Sequence, residues 1–383
     1  MKILVWQWGR RGAGPRFAAC LAEALQGRPG IGASLSLCQD AEILAGPNPP
    51  PCAMQVHTYR GMASCLARLV TIPLALPFMA WKLRRIAPDL AICAMPGPLD
   101  LLMALALRVL GTRLVVVVHD ADAHPGDGFP GQMILQRLLC RTADALAALC
   151  EPVGSRLREQ RLTDAARRPL ILFEHPPFAF DVPSGGRLDG PPRLLFFGRL
   201  LPYKGLDLLA EALTRMNGQA ALEIRVVGSG PETPTLGKLR ACPGVRVENR
   251  WVPETEIGSL LAWSDALILP YREASQSGVA AAALAAGRPV IATRVGGLRE
   301  QLSGAPQGVF CEPNADSLSR AIGLWLETPP VISAPADAAE AWREAVSGLL
   351  AAIGTAIPAK PIKTPTIPFF LSGKRQWRTT SRR

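Results

Sequence analysis

At 383 residues, 49% hydrophobic and 6% aromatic, the chain can bury two cores of ordinary domain size, so two domains are expected. Its nine cysteines (20, 38, 52, 65, 93, 140, 150, 242 and 311) are odd in number and scattered, with no CxxC pair and no histidine at zinc-finger spacing; this excludes a zinc module and reads as reduced thiols in a cytoplasm. Of the charges behind the net +11, seven cations (Lys360, Lys363, Lys374, Arg375, Arg378, Arg382, Arg383) fall in the last 24 residues, a basic, proline-rich end with no stacking platform that speaks for anionic lipid or plain solvent and against nucleic acid.

The first element is a buried strand over Lys2–Gln7, too brief for a secretory signal and without a cleavage site. The turn Gly9-Arg10-Arg11-Gly12-Ala13-Gly14 follows it. That turn lacks the spacing of a dinucleotide fingerprint, and Asp40 and Glu42 come too late to bind a ribose. Leu66–Ile86 is strongly apolar but carries charges at both ends and Pro73 and Pro77 inside, which argues against the ~20 unbroken residues of a membrane span. It reads as a buried core helix, with Lys82, Arg84 and Arg85 keeping an interfacial helix open. Strands are expected at Leu90–Ala94, Leu114–His119 and Ala145–Leu149, alternating with helices as in a parallel sheet. His119, at the end of Val115–Val118, would be delivered to a cleft, although a packing or capping role fits the residue equally. Asp120, Asp122, His124 and Asp127 make the next loop acidic, at spacings too irregular to specify a metal.

Phe180–Arg193, rich in Gly and Pro, reads as a linker. Beyond it strands are expected at Arg193–Phe197, Leu222–Val227, Val245–Asn249, Ala266–Leu269 and Val290–Ala292, with helices at Leu206–Met216 and Glu254–Ala262. Ala336–Ile353 reads as a closing helix. The expected organisation is a first domain over 1–180, a linker over 181–193, a second domain over 194–335, the closing helix over 336–355 and a basic tail over 356–383. Within the second domain, Arg199 and Lys204 stand five residues apart at a strand-to-helix junction beside Gly198 and Gly205, where two cations and a helix N-terminus can converge on a diphosphate. Pro270–Glu300 repeats the strand, polar loop and helix pattern, and Ser275, Gln276, Ser277 and Gly278 offer donors ahead of its helix. No G-x-S-x-G elbow, catalytic zinc pattern or opposed carboxylate pair appears, which counts against a hydrolase.

The blocks FFGRLLPYKGLDLLAEAL, VVGSG and WVPETEIGSLLAWSDALILPYREASQSGVAAAALAAGRPVIATRVGGLRE are similar, in order, to the C-terminal domain of family 4 glycosyltransferases. The resemblance is specific over Leu194–Glu300. Upstream, WGRRGAGPRFAACLAEAL, VVVVHDADAHPGD and LFEHPPF resemble the N-domain loops of bacterial members that build exopolysaccharides or capsules. It implies an α/β GT-B fold, two Rossmann-like doubly wound domains facing across a cleft. It also implies a retaining transferase that moves a sugar from a nucleotide-diphosphate donor to a glycan or lipid-linked acceptor, with no metal or other cofactor, working in the cytoplasm or on the inner face of the membrane. By the same resemblance Arg199 and Lys204 hold the donor diphosphate, and His119 lies beside the transferred sugar. Gly198, Glu273, Ser275, Gln276, Ser277 and Gly278 contact the donor, and Gly12, Gly14, Arg11 and Arg16 approach phosphate or acceptor. One departure stands out: of the family's two glutamates, the first falls on Ala274 or, with a one-residue slip, Glu273, and the second on Ala282, which puts ribose recognition in doubt. A nucleotide-sugar epimerase and a binding protein without transferase activity are the rival functions on this scaffold.

Overall fold

The computed structural model describes residues 1–128, 130–183, 190–216, 221–303, 308–328 and 335–357. The expected linker is thus described only at its two ends, and the basic tail lies outside the described residues beyond Ile357.

In chain order the first half contains β1 (Lys2–Gln7), α1 (Ala13–Gln26), β2 (Gly32–Cys38), β3 (Met54–Val56), α2 (Met62–Val70), α3 (Ile72–Ile86), β4 (Leu90–Cys93), α4 (Asp100–Leu110), β5 (Arg113–Val118), α5 (Gln132–Thr142), β6 (Ala145–Ala148), α6 (Glu151–Glu159) and β7 (Leu170–Leu172). The second half contains β8 (Arg193–Arg199), α7 (Leu206–Met216), β9 (Glu223–Ser229), α8 (Pro234–Ala241), β10 (Val245–Asn249), α9 (Glu254–Trp263), β11 (Ala266–Leu269), α10 (Gly278–Ala285), β12 (Val290–Thr293), α11 (Leu298–Gln301), β13 (Gly308–Cys311), α12 (Ala315–Glu327) and α13 (Ala338–Ala356). The strands form two parallel sheets, ordered β3-β2-β1-β4-β5-β6-β7 and β10-β9-β8-β11-β12-β13. Val115–Val118, Leu194–Phe196 and Ala266–Leu269 are buried without interruption, because helices cover both faces of each sheet. Two doubly wound domains of this kind make the GT-B fold.

The first sheet has a core on each face. On one, Phe17 and Leu21 of α1 meet Val115 and Val117 together with Trp342, Val346, Leu349 and Ile353 of α13, so the last helix crosses from the second domain back onto the first. The Trp342 indole N–H donates to the Pro177 carbonyl at 3.0 Å and fixes the crossing. On the other face Trp6 and Leu114 meet Met79 and Leu83 of α3 and Met103 and Leu107 of α4. The second sheet has its own core, from Leu194, Phe196, Leu209, Leu267, Ile322 and Trp325.

Two expectations change. Strands β2, β3, β7 and β13 were not foreseen: β3 and β7 span three residues each at the sheet's edges, β13 four at the other sheet's edge, and serines interrupt β2. The Leu66–Ile86 run is not a buried core helix. It belongs to α2 and α3, bent by 76° about Thr71, with Pro73 in the first turn of α3, where a missing N–H leaves no bond unmade. Leu66, Val70, Leu74, Phe78 and Trp81 are exposed. Among the described residues no single helix is long and apolar enough to cross a membrane.

Candidate active site

Strand order reverses between β1 and β4 and again between β8 and β11. At such a switch point adjacent loops diverge and open a crevice beyond the strands' carboxyl ends. In the second domain the crevice loops are Leu200–Gly205 and Pro270–Ser277, which carry Lys204, Glu273, Ser275, Gln276 and Ser277, with Arg199 at the end of β8.

Gly205 has φ 64°, and a Cβ there would overlap the Pro270 carbonyl. This close approach locks the two loops together and slides Lys204 beneath Tyr271. The Lys204 Nζ lies 3.7 Å from the Tyr271 ring centroid and 4.9 Å from that of Tyr203, and the residue is only 9% exposed. Among the described residues the ammonium makes no ion pair or hydrogen bond, although the Asp120 and Asp127 carboxylates act on it from farther away. Burial pushes its pKa down to about 7, and the neighbouring Arg199 charge pushes the same way. Two aromatic faces and the charges of Asp120 and Asp127 offset part of that desolvation, and burial of a cation without a direct ion pair carries a cost. Arg199 donates to the Tyr203 hydroxyl at 2.8 Å and pairs across the crevice with Asp127 of the first domain.

The opposite wall is built around His124. Its ring stacks on Tyr203 at 4.6 Å, its Nε2 meets Asp120 at 3.1 Å and its Nδ1 meets Glu273 at 3.4 Å. The Asp120 bond raises the imidazole's pKa. Glu273, expected to touch sugar, is therefore engaged by His124 here. A cavity of 430 Å³ opens beside this bridge, lined from both domains by Asp122, His124, Arg156, Glu273, Ser275 and Gly296. The two cations, Arg199 and Lys204, are not in its wall.

His119 is buried at the end of β5, edge-on to Phe17 at 4.8 Å, and its Nε2 donates to the Ala94 carbonyl at 2.8 Å. Burial lowers its pKa to about 4, so the ring is neutral at physiological pH. Its backbone carbonyl accepts from Gln276 at 3.0 Å, while the Gln276 Oε1 is buried without a partner. Ser277 is consumed by the fold: its Oγ caps α10 through the Ala280 N–H at 3.3 Å, and its own N–H donates to Gln301 at 2.8 Å. Among the described residues the N–H groups of Gly278 and Val279, at the helix N-terminus, make no hydrogen bond.

Gly278 abuts the start of α1: a Cβ there would sit 3.2 Å from the Ala13 Cβ. Gly198 lies on the other side of this turn, its absent Cβ 3.6 Å from Val279. Gly12 and Gly14 flank Ala13, so the glycines foreseen in the two loops converge and two helix N-termini meet at the domain seam. The arginines of the first loop do not join them. Arg16 is spent on Glu254, on the Ala179 carbonyl at 2.8 Å and on the Phe180 ring, and Arg11 stacks on Trp251 at 5.2 Å. Ala282 is fully buried within α10 and offers nothing to a ligand. Among the described residues no three His, Cys, Asp or Glu side chains converge as a metal-binding group.

The tyrosine cage, the Asp127 partner of Arg199 and the unsatisfied Gln276 were not foreseen. One signal was available, since the chain has only three tyrosines and two of them, Tyr203 and Tyr271, stand in the cation loop and the loop after β11.

Comparison with known proteins gives the same division of the chain. The family described as "Glycosyl transferases group 1" matches residues 191–328 and the "Glycosyl transferase 4-like domain" matches residues 12–172. A GDP-mannose:glycolipid 4-beta-D-mannosyltransferase of Xanthomonas campestris pv. campestris is 28% identical over 50% of this chain and 53% of its own length, so the chain spans about half of that curated relative. A 2-deoxystreptamine glucosyltransferase of Streptomyces kanamyceticus is 26% identical over 72% of this chain and 78% of its own. Among solved structures, the sucrose-phosphate synthase of Thermosynechococcus elongatus superposes with a TM-score of 0.62 at 16% identity, covering 91% of this chain and 94% of that one.

Proposed function

Because the chain belongs to the family 4 glycosyltransferases of GT-B fold, we propose that it transfers a sugar from a nucleoside-diphosphate donor to a glycan or lipid-linked acceptor, with retention at the anomeric carbon. The observation that carries this reading is the buried Lys204 ammonium, without a direct ion pair among the described residues, beside Arg199 at the switch point of the second sheet. A diphosphate seated there gives both cations a counter-ion. Its charge grows as the glycosidic bond breaks, which is when charge-assisted bonds act most. The convergent N-termini of α1 and α10 add N–H donors on the same side. The neutral His119 ring and the free Gln276 oxygen supply acceptors for sugar hydroxyls. A departing diphosphate that takes the proton of the acceptor hydroxyl, on the face it leaves, accounts for retention without a protein nucleophile. The glycolipid named for the Xanthomonas relative supports a lipid-linked acceptor.

Replacing Lys204 by alanine should reduce kcat/KM by about 10²- to 10³-fold, measured as transfer of labelled sugar from a panel of UDP-, GDP- and dTDP-sugars. Turnover near that of the native chain would remove the proposed role. An epimerase reading draws on Asp120, His124 and Glu273, which place acid and base groups in the crevice. Conversion of the donor to an epimer without any acceptor would favour it over transfer.

A further inference from the structure

The connection from β3 to β4 leaves an apolar face uncovered. Met62, Leu66 and Val70 recur every fourth residue along α2, and Leu74, Phe78 and Trp81 continue the stripe along α3. All are exposed, Val70 at 80% and Leu74 at 81%. The reverse side of α3, Met79, Ala80 and Leu83, packs into the first domain's core, so the elbow is held firmly with this stripe outward. Contiguous apolar surface of this kind marks an interaction site.

The chemistry around the stripe identifies what it meets. Phe78 and Trp81 stack at 5.8 Å, the Lys82 ammonium sits 4.7 Å over Phe78, and the Arg85 guanidinium sits 4.0 Å over Trp81. Arg60, Arg68 and Arg84 lie in the same stretch, and no acidic residue occurs between Glu42 and Asp89. Rings and leucines flanked by cations, with no carboxylate, match the boundary of an anionic bilayer: apolar groups enter the acyl region while the cations stay at the phosphates. The 76° bend rules out a straight span and lets both short helices lie along the surface. α2 begins three residues after Tyr59. With Thr58, Gln7, Gly9, Gly97 and Asp100, Tyr59 lines a second cavity, of 220 Å³, at the first sheet's switch point.

We propose that the α2–α3 elbow docks the protein on an anionic membrane surface, seating the stripe in the headgroup boundary with the 220 Å³ cavity beside it. This docking stands apart from the transfer chemistry and is tested without it. The full chain should float with phosphatidylglycerol-rich vesicles and not with pure phosphatidylcholine vesicles. The combined variant Leu74→Ser, Phe78→Ser, Trp81→Ser should lose binding by about tenfold or more, and Lys82→Gln with Arg85→Gln should weaken it on the anionic vesicles. These side chains are exposed or lie at the surface, so thermal unfolding of the variants should match the native chain, and a third variant with the seven tail cations changed to Gln should still bind. The proposal is overturned if the serine variant floats as the native chain does. It is overturned equally if only the tail variant loses binding, or if sedimentation velocity shows the serine changes abolishing a dimer while vesicle binding is unaltered, which would assign the stripe to a second copy of the chain.

Discussion

An ammonium buried without a direct ion pair is held against its own hydration, and among the described residues Lys204 is such a group. Its folded pKa of about 7 lies below the unfolded value of 10.5. Between those two pH values the unfolded chain keeps a proton that the folded chain has lost, so this residue makes stability rise with pH across that window. At and below pH 7 the full cost of burying the charge is present. Lys204→Met should therefore raise Tm at pH 6 and leave it little changed above pH 10. The same variant should also lose the Tm increase that a nucleoside diphosphate gives the native protein, which differential scanning fluorimetry can read in one plate. A residue retained for packing would do the reverse and lower Tm when replaced. His119 obeys the same desolvation rule with another outcome: at about 4 its pKa lies below the working range, so its ring stays neutral.

At the scale of elements, the junction of β8 and α7 depends on a glycine. An alanine at Gly205 would have to adopt φ 64° and would overlap the Pro270 carbonyl. Gly205→Ala should cost about 1–3 kcal/mol from its backbone conformation alone, seen in urea unfolding, and should weaken diphosphate binding by displacing Lys204 from its tyrosines. Unchanged stability and affinity would show that the loop tolerates a shift. Elements of this kind were readable because their signals are local in the chain. Val115–Val118 and Ala266–Leu269 announce buried parallel strands, and Arg199 and Lys204 could be located at a strand-to-helix junction from the glycines beside them. The edge strands β3 and β7 were not readable, because three residues carry no period and edge pairing is decided by the neighbouring strand. The fate of Leu66–Ile86 was not readable either, since composition cannot say which side of a helix faces the core. Nor were the contacts that close the crevice: Asp127 is 72 residues from Arg199, and His124 is 149 from Glu273. Such pairs come from how two domains meet.

At the scale of the whole molecule, the two domains are joined by polar contacts that the proposed donor would rearrange. Arg199 to Asp127, His124 to Glu273 and Arg16 to Glu254 all cross the seam, while α13 ties the domains from behind. A diphosphate that takes Arg199 from Asp127 replaces one anion with another, and at Lys204 it adds a directly paired anion to the more distant charges of Asp120 and Asp127. Seating it must therefore draw a proton onto Lys204 whenever the free protein has lost one. Isothermal titration calorimetry with UDP and GDP at pH 8, in buffers of different ionisation enthalpy, measures that uptake directly, and the Lys204→Met variant subtracts any contribution from His124. The account predicts uptake of about one proton by the native protein and none, with much weaker binding, in the variant. Equal affinity and equal proton uptake in the two proteins would contradict it.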